Sequence, residues 1–74
     1  MSNNITYKVT EHIGVLSETD IGYTKEVNMV SWNGADPKVD IRTWYPDHER
    51  CSKGLTFTIE EAKRLRAFLN SMDW

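Results

Sequence analysis

Cysteine is all but missing from this sequence. Cys51 stands alone among 74 residues, which excludes a disulfide within the chain. With only His12 and His48 beside it, the closed four-ligand set of a structural zinc site is not supplied. No run approaches the ~20 apolar residues that span a bilayer, so no membrane association is expected. The opening Met1-Ser2-Asn3-Asn4 lacks the basic start and apolar stretch of a secretory signal. In that context Asn4-Ile5-Thr6, which fits the glycosylation acceptor pattern, reads as a chance match. A single cysteine also suits a reducing compartment. The expected location is cytoplasmic, nucleoid-associated if the source is bacterial.

Surplus positive charge is missing as well: 9 basic residues against 11 acidic ones give a net charge of −2. A protein that grips duplex DNA by bulk charge is therefore not expected. Nor does the sequence hold a phosphate-binding loop, a catalytic triad or a carboxylate dyad. It reads as a non-enzyme without a cofactor. Finally, a domain this small buries only about 60% of the surface its unfolded chain exposes. Small domains compensate with disulfides, metals or self-association. With the first two set aside, a homodimer is expected.

What the chain does have is aromatic and β-branched residues. Three Trp, three Tyr and two Phe are many for its length. Turn signals at Thr19-Asp20-Ile21-Gly22, at Asn33-Gly34-Ala35-Asp36-Pro37 and from Pro46 to Gly54 separate strand-like runs. These runs span roughly 5–18, 23–32, 38–45 and 55–57. Connections this short require antiparallel neighbours, a meander. The period then changes. Thr58 is a good N-cap and Glu61 completes a capping box. Ile59, Ala62, Leu65, Phe68, Leu69 and Met72 follow on one stripe of a helix over about 59–72. Such a helix is marginal alone, so Leu65, Phe68, Leu69 and Met72 should pack on the sheet or on a second copy. The fold class is α+β: one domain, a four-stranded curved antiparallel sheet followed by a C-terminal helix.

Strand alternation assigns the faces. Val39, Ile41 and Thr43 share one face with Val27, Met29 and Ser31, and with Val9, Ile13 and Val15; this aliphatic side should lie under the helix. The other face carries Lys38, Asp40, Arg42 and Trp44, then Glu26, Asn28, Val30 and Trp32, then Lys8, His12 and Leu16. Two indoles among cations on an uncovered face are either stacking platforms for unpaired bases or the filling of a second core or dimer interface. Stacking is sequence-tolerant, because every base has a π-face.

The ordered set Val30-Ser31-Trp32-Asn33, Pro37-Lys38-Val39-Asp40-Ile41-Arg42-Thr43-Trp44, Pro46-Asp47-His48-Glu49 and Lys53-Gly54-Leu55-Thr56 resembles the positive-cofactor-four family, above all its short bacterial branch. Val15-Leu16-Ser17-Glu18 and Gly22-Tyr23-Thr24-Lys25-Glu26 fit as well. The resemblance spans about residues 7 to 70. It implies a homodimer that binds single-stranded DNA along the sheet with little sequence preference, in transcription or DNA maintenance. By that resemblance Arg42 lies on the binding side, Trp44 and Tyr45 match an aromatic pair of which one stacks, and Lys53 contacts phosphate. Trp32 lies near another family aromatic, across a loop of different length. Taken with strand phase, the expected nucleic-acid contacts are Lys8, Lys25, Trp32, Lys38, Arg42, Trp44, Tyr45 and Lys53.

Other groupings have simpler readings. Asp47, His48, Glu49 and Cys51 crowd one segment that reads as a polar turn. His12 reads as a surface residue of a strand, and Lys63, Arg64 and Arg66 as a solvated helix face. Asp40 either orients Arg42 through a charge-assisted hydrogen bond or forms a plain exposed ion pair with it. Gly54 either lets backbone approach a phosphate or serves a turn. Two alternative functions stay open: a protein-interaction adaptor that uses the aromatic face, and a binder of single-stranded RNA, which the same stacking physics serves.

Overall fold

The computed structural model describes residues 6–74. Four strands, β1 (Tyr7–Glu18), β2 (Thr24–Trp32), β3 (Lys38–Trp44) and β4 (Leu55–Phe57), form one antiparallel sheet in the order β1-β2-β3-β4, followed by α1 (Ile59–Ser71). This is the expected four-stranded meander with a C-terminal helix. The expected start of the first strand at Ile5, and most of the Asn4-Ile5-Thr6 triplet, lie outside the described residues.

Local chemistry sets the turns. Asn33 and Gly34 both have positive φ, 51° and 77°. That combination makes a type I′ turn, closed by the Ala35 N–H donating to the Trp32 carbonyl at 2.9 Å, within the connection 33–37, and Asn-Gly is its preferred sequence. Between β1 and β2, Gly22 sits at φ 93° and its N–H donates to the Thr19 carbonyl at 3.0 Å. At the helix start the Thr58 hydroxyl accepts from the Glu61 N–H at 3.1 Å, and the Glu61 carboxylate accepts from the Thr58 N–H at 2.8 Å. Two otherwise orphaned donors of the first turn are thereby satisfied.

β1 departs from simple alternation. Its pairing with β2 shifts by one residue three times, between Val9 and Glu11, His12 and Gly14, and Val15 and Ser17. Twelve residues of β1 therefore run beside nine of β2. Each shift leaves one residue of β1 unpaired and bends the strand. In consequence Val9, His12, Val15 and Glu18, three apart in sequence, face Val30, Asn28, Glu26 and Thr24, which are two apart. The expected grouping of β1 is corrected accordingly: His12 shares a face with Val9 and Val15, while Leu16 turns to the helix side with Val27, Val39 and Ile41.

The core is not where an aliphatic count would put it. α1 buries no residue, and Val27, Val39 and Ile41 beneath it are only half-buried. The most enclosed side chains lie on the opposite, concave face: Val30, Trp44, Thr24, Glu26, Asn28 and Asp40. The register shifts of β1 bend that side of the sheet, and the turn after β3 covers part of the face, with His48 stacked on Trp44 and 2.8 Å from Glu26. The face expected to be wet thus holds the tightest packing in the chain.

Candidate nucleic-acid interface

Four side chains on this face make one rigid assembly. Asp40, opposite Asn28 in the ladder, is fully buried. Its carboxylate accepts from Arg42 Nε at 2.6 Å and Nη2 at 2.7 Å, from the Thr56 hydroxyl at 3.0 Å and from Trp32 Nε1 at 3.3 Å. The Arg42 guanidinium lies over the Trp32 ring, 4.6 Å from its centroid, and donates through Nη1 to the Ser52 carbonyl at 3.2 Å. Charge-assisted bidentate pairing of this kind fixes orientation as well as charge. Of the two readings of Asp40, the orienting one is what the geometry shows. It also neutralises Arg42 locally, so the guanidinium acts as a flat, fixed plate on the indole. Gly54 makes room for it: a Cβ there would sit 2.4 Å from the Arg42 Cβ and 2.4 Å from the Ile41 carbonyl oxygen.

Tyr7 links this plate to the second indole. Its ring lies 5.4 Å from Trp32 and 5.6 Å from Trp44, tilted against both. Beyond Trp44 stands His48, stacked at 6.5 Å and 13°. His48 is delivered by a tightly tied turn in which Asp47 Oδ1 accepts from the N–H groups of Glu49 and Arg50 at 2.9 and 3.1 Å, and Asp47 Oδ2 from Arg50 Nε at 2.9 Å. The backbone of His48 itself has φ 56°, a left-handed conformation uncommon outside glycine.

Below His48 lies Glu26. It accepts from the Thr24 hydroxyl, from Asn28 Nδ2 at 3.3 Å and from His48 Nε2 at 2.8 Å. His12 stands beside it, with Nδ1 2.7 Å from Asn28 Oδ1 and 3.7 Å from Glu26 Oε1. Burial pushes the Glu26 carboxyl up, but the hydrogen bonds from Thr24, His48 and Asn28, with the His48 charge, outweigh it and hold Glu26 below the ordinary carboxylate range. Together these groups, with Tyr7, Val9, Val15, Glu18 and Trp44, line an open groove of about 530 Å³. Among the described residues, no group of three or more His, Cys, Asp or Glu is arranged to hold a metal ion.

Against this geometry the expected contacts divide. Trp32, Lys38 and Arg42 lie on the concave face, with Lys38 exposed at its edge opposite Val30. Lys53 is exposed one residue after Ser52, whose carbonyl Arg42 binds. Trp44 needs correction as a stacking platform: it is 2% exposed, enclosed by Tyr7 and His48, and offers no free ring face. Lys8 and Lys25 need correction too. Lys8 pairs with Ser31 and Lys25 with Thr43, so both point to the helix side, away from Trp32. Tyr45 follows Trp44 and so turns to the opposite side. There it packs on Tyr23 at 5.0 Å, with the Arg50 guanidinium 4.8 Å from its centroid. On α1, Leu65 and Leu69 border an apolar gap between helix and sheet, while Phe68 is 65% exposed and Met72, which caps the helix just past its end, 53%.

The sequence reading singled out neither Tyr7, the bridge between the indoles, nor Glu26, the centre of the groove floor. The pairing of Tyr7 with Trp32 depends on the three register shifts of β1, which the sequence does not announce. A Glu at a sheet position gives no signal either.

Residues 19–68 match the Transcriptional Coactivator p15 (PC4) family. The chain is also 42% identical over 72 residues to an uncharacterized protein of Treponema pallidum (strain Nichols), a match that covers 97% of this chain and 85% of that protein. The matched segment takes in β2, β3, β4 and most of α1, and with them the Trp32–Asp40–Arg42 assembly and the turn carrying His48. Sequence pattern and architecture therefore agree: this chain belongs to the p15 (PC4) transcriptional coactivator family.

Proposed function

We propose that the chain binds single-stranded DNA as a homodimer, with little sequence preference, in transcription regulation or DNA maintenance. The observation that carries this is the Trp32–Arg42 plate, held flat by Asp40 with the Arg42 side chain 12% exposed, and bordered by exposed Lys38 and Lys53. A flat, fixed surface suits an unpaired base, which duplex stacking would withhold from it. Lys38 and Lys53 are placed for the phosphates on either side. Because Asp40 pairs with Arg42, only the two lysines contribute full charge, and log affinity should fall with log salt at a slope of about −1.4 per protomer.

Dimer formation is supported by α1. Its apolar stripe is largely uncovered, and the gap of about 350 Å³ between helix and sheet is walled mainly by Leu16, Val27, Val39, Ile41, Ala62, Leu65 and Leu69. A second copy presenting the same stripe would close both.

Titration of labelled oligothymidine at several salt concentrations tests the reading. Trp32→Ala should weaken binding by about 1–3 kcal/mol, roughly 5- to 150-fold, with the salt slope unchanged. No binding of the oligomer by the wild-type protein would reject the reading, and a flat salt response would reject the lysine contacts. The same contacts serve RNA, so competition with a matched RNA oligomer decides the natural ligand.

A further inference from the structure

Two exposed histidines stand over a buried carboxylate in the concave groove, and the stacking plate leaves them without a role. The side chains of His12 and His48 are 55% and 58% exposed, while that of Glu26 between them is 6% exposed. Each ring is held by one nitrogen. His48 Nε2 lies 2.8 Å from Glu26 Oε2, and an ionised carboxylate only accepts, so this nitrogen carries a proton. Asn28 Nδ2 donates to Glu26, which turns the Asn28 oxygen towards His12. His12 Nδ1 therefore donates as well, at 2.7 Å. The remaining nitrogens, Nε2 of His12 and Nδ1 of His48, have no partner among the described residues. Ring geometry aims them away from the anchored side.

Protonation at these two atoms would add a positive charge and a new N–H donor on the open side of each ring. The other charged groups of the neighbourhood set the balance. Asp40 is paired with Arg42, and Asp47 with Arg50. Glu49 belongs to the His48 turn, and Tyr7 lines the groove. That leaves Glu18 on β1 and Glu26 on β2 as the groove's own charges. With neutral histidines the groove is acidic and repels a phosphate chain. With both histidines protonated, the two carboxylates are balanced and the cations lie outermost. Histidine is the side chain whose charge changes between pH 5 and 8.

We propose that His12 and His48 are a proton-dependent pair of phosphate contacts, so that the groove holds single-stranded nucleic acid more tightly at acid than at alkaline pH. This rests on the single-strand reading above, and it extends the strand's path from the Trp32–Arg42 plate past Tyr7 into the groove.

Oligothymidine binding measured at pH 5.5 and pH 8.0, each over a salt series, tests it. One phosphate contact is worth about fivefold between 1 M and 0.1 M salt. Two added contacts should tighten binding on the order of 25-fold at 0.1 M salt and steepen the slope by about 1.4. The double variant His12→Gln, His48→Gln, confirmed as folded by thermal melting at both pH values, should lose most of that difference. Calorimetry in two buffers of unlike ionisation enthalpy should show protons taken up on binding between pH 5.5 and pH 8.0. Equal affinity and slope at the two pH values, a double variant that keeps the full difference, or binding without proton uptake would each overturn the histidine pair while leaving the single-strand reading standing. Absence of binding at both pH values would instead remove the single-strand reading itself.

Discussion

Glu26 shows how a charged side chain survives in the most enclosed part of a small sheet. A carboxylate without partners there would be strongly destabilising. Donors from Thr24, Asn28 and His48 replace the water it loses. Because its folded value is held below its ordinary 4.5, Glu26 stabilises the fold fully above that pH, and the contribution is lost as pH falls through the lower folded value. The thermal midpoint of the wild-type protein should accordingly drop as pH is lowered below about 4.5. Glu26→Gln should melt lower at neutral pH, because a buried acceptor is replaced by a donor facing other donors, and its acid limb should be shallower. Parallel pH profiles for the two proteins would show that Glu26 carries no such linkage. At this scale the sequence was half legible. Alternation put Glu26, Asn28, Trp32, Arg42 and Trp44 on one face, which is where they lie. Exposure was not legible, because whether Trp44 is open or sealed depends on sheet curvature and on a turn that carries His48 across it.

Among the elements, β4 has only three residues, yet the segment leading into it shapes the stacking plate. Gly54 passes so close to β3 that an added methyl would overlap the Ile41 carbonyl and the Arg42 side chain. Backbone is the obstacle on one side, so relaxation is costly. Gly54→Ala should destabilise by about 1–3 kcal/mol, at about 4–8 °C of melting temperature per kcal/mol, and should loosen Arg42 from Trp32. A melting temperature within a degree or two of wild type would show that the segment yields freely. The existence and order of the elements could be read from period and turn chemistry: Asn33-Gly34 for the hairpin, Thr58 with Glu61 for the helix start. The phase of β1 could not. Its three register shifts give no compositional warning, since Thr10, Ile13 and Leu16 are ordinary strand residues. That is why Lys8 and His12 were expected on one face and lie on two. Lys25 is a different case, because plain alternation along β2 already sets it with Val27.

At the scale of the whole molecule, the fold divides into a tightly packed concave side and a loosely covered convex one. The exposed Phe68 and Met72, with Leu69 at 41% exposure, belong to the second. If the proposed homodimer buries this stripe, Phe68→Glu should shift the solution mass from two chains to one, with little loss inside the protomer because Phe68 touches little there. Light scattering at micromolar concentration reads this directly, and a wild-type protein of single-chain mass would remove the dimer. The bent course of β1 bears on the same question. It is the outer rung of the sheet, and a straight outer rung invites any extended polypeptide to add itself. Three interruptions in twelve residues leave its free amides unevenly spaced, so a newcomer strand would find no regular ladder to continue. The chain is thereby guarded against runaway edge-to-edge stacking, which leaves the helical side as the face on which the proposed dimer would close.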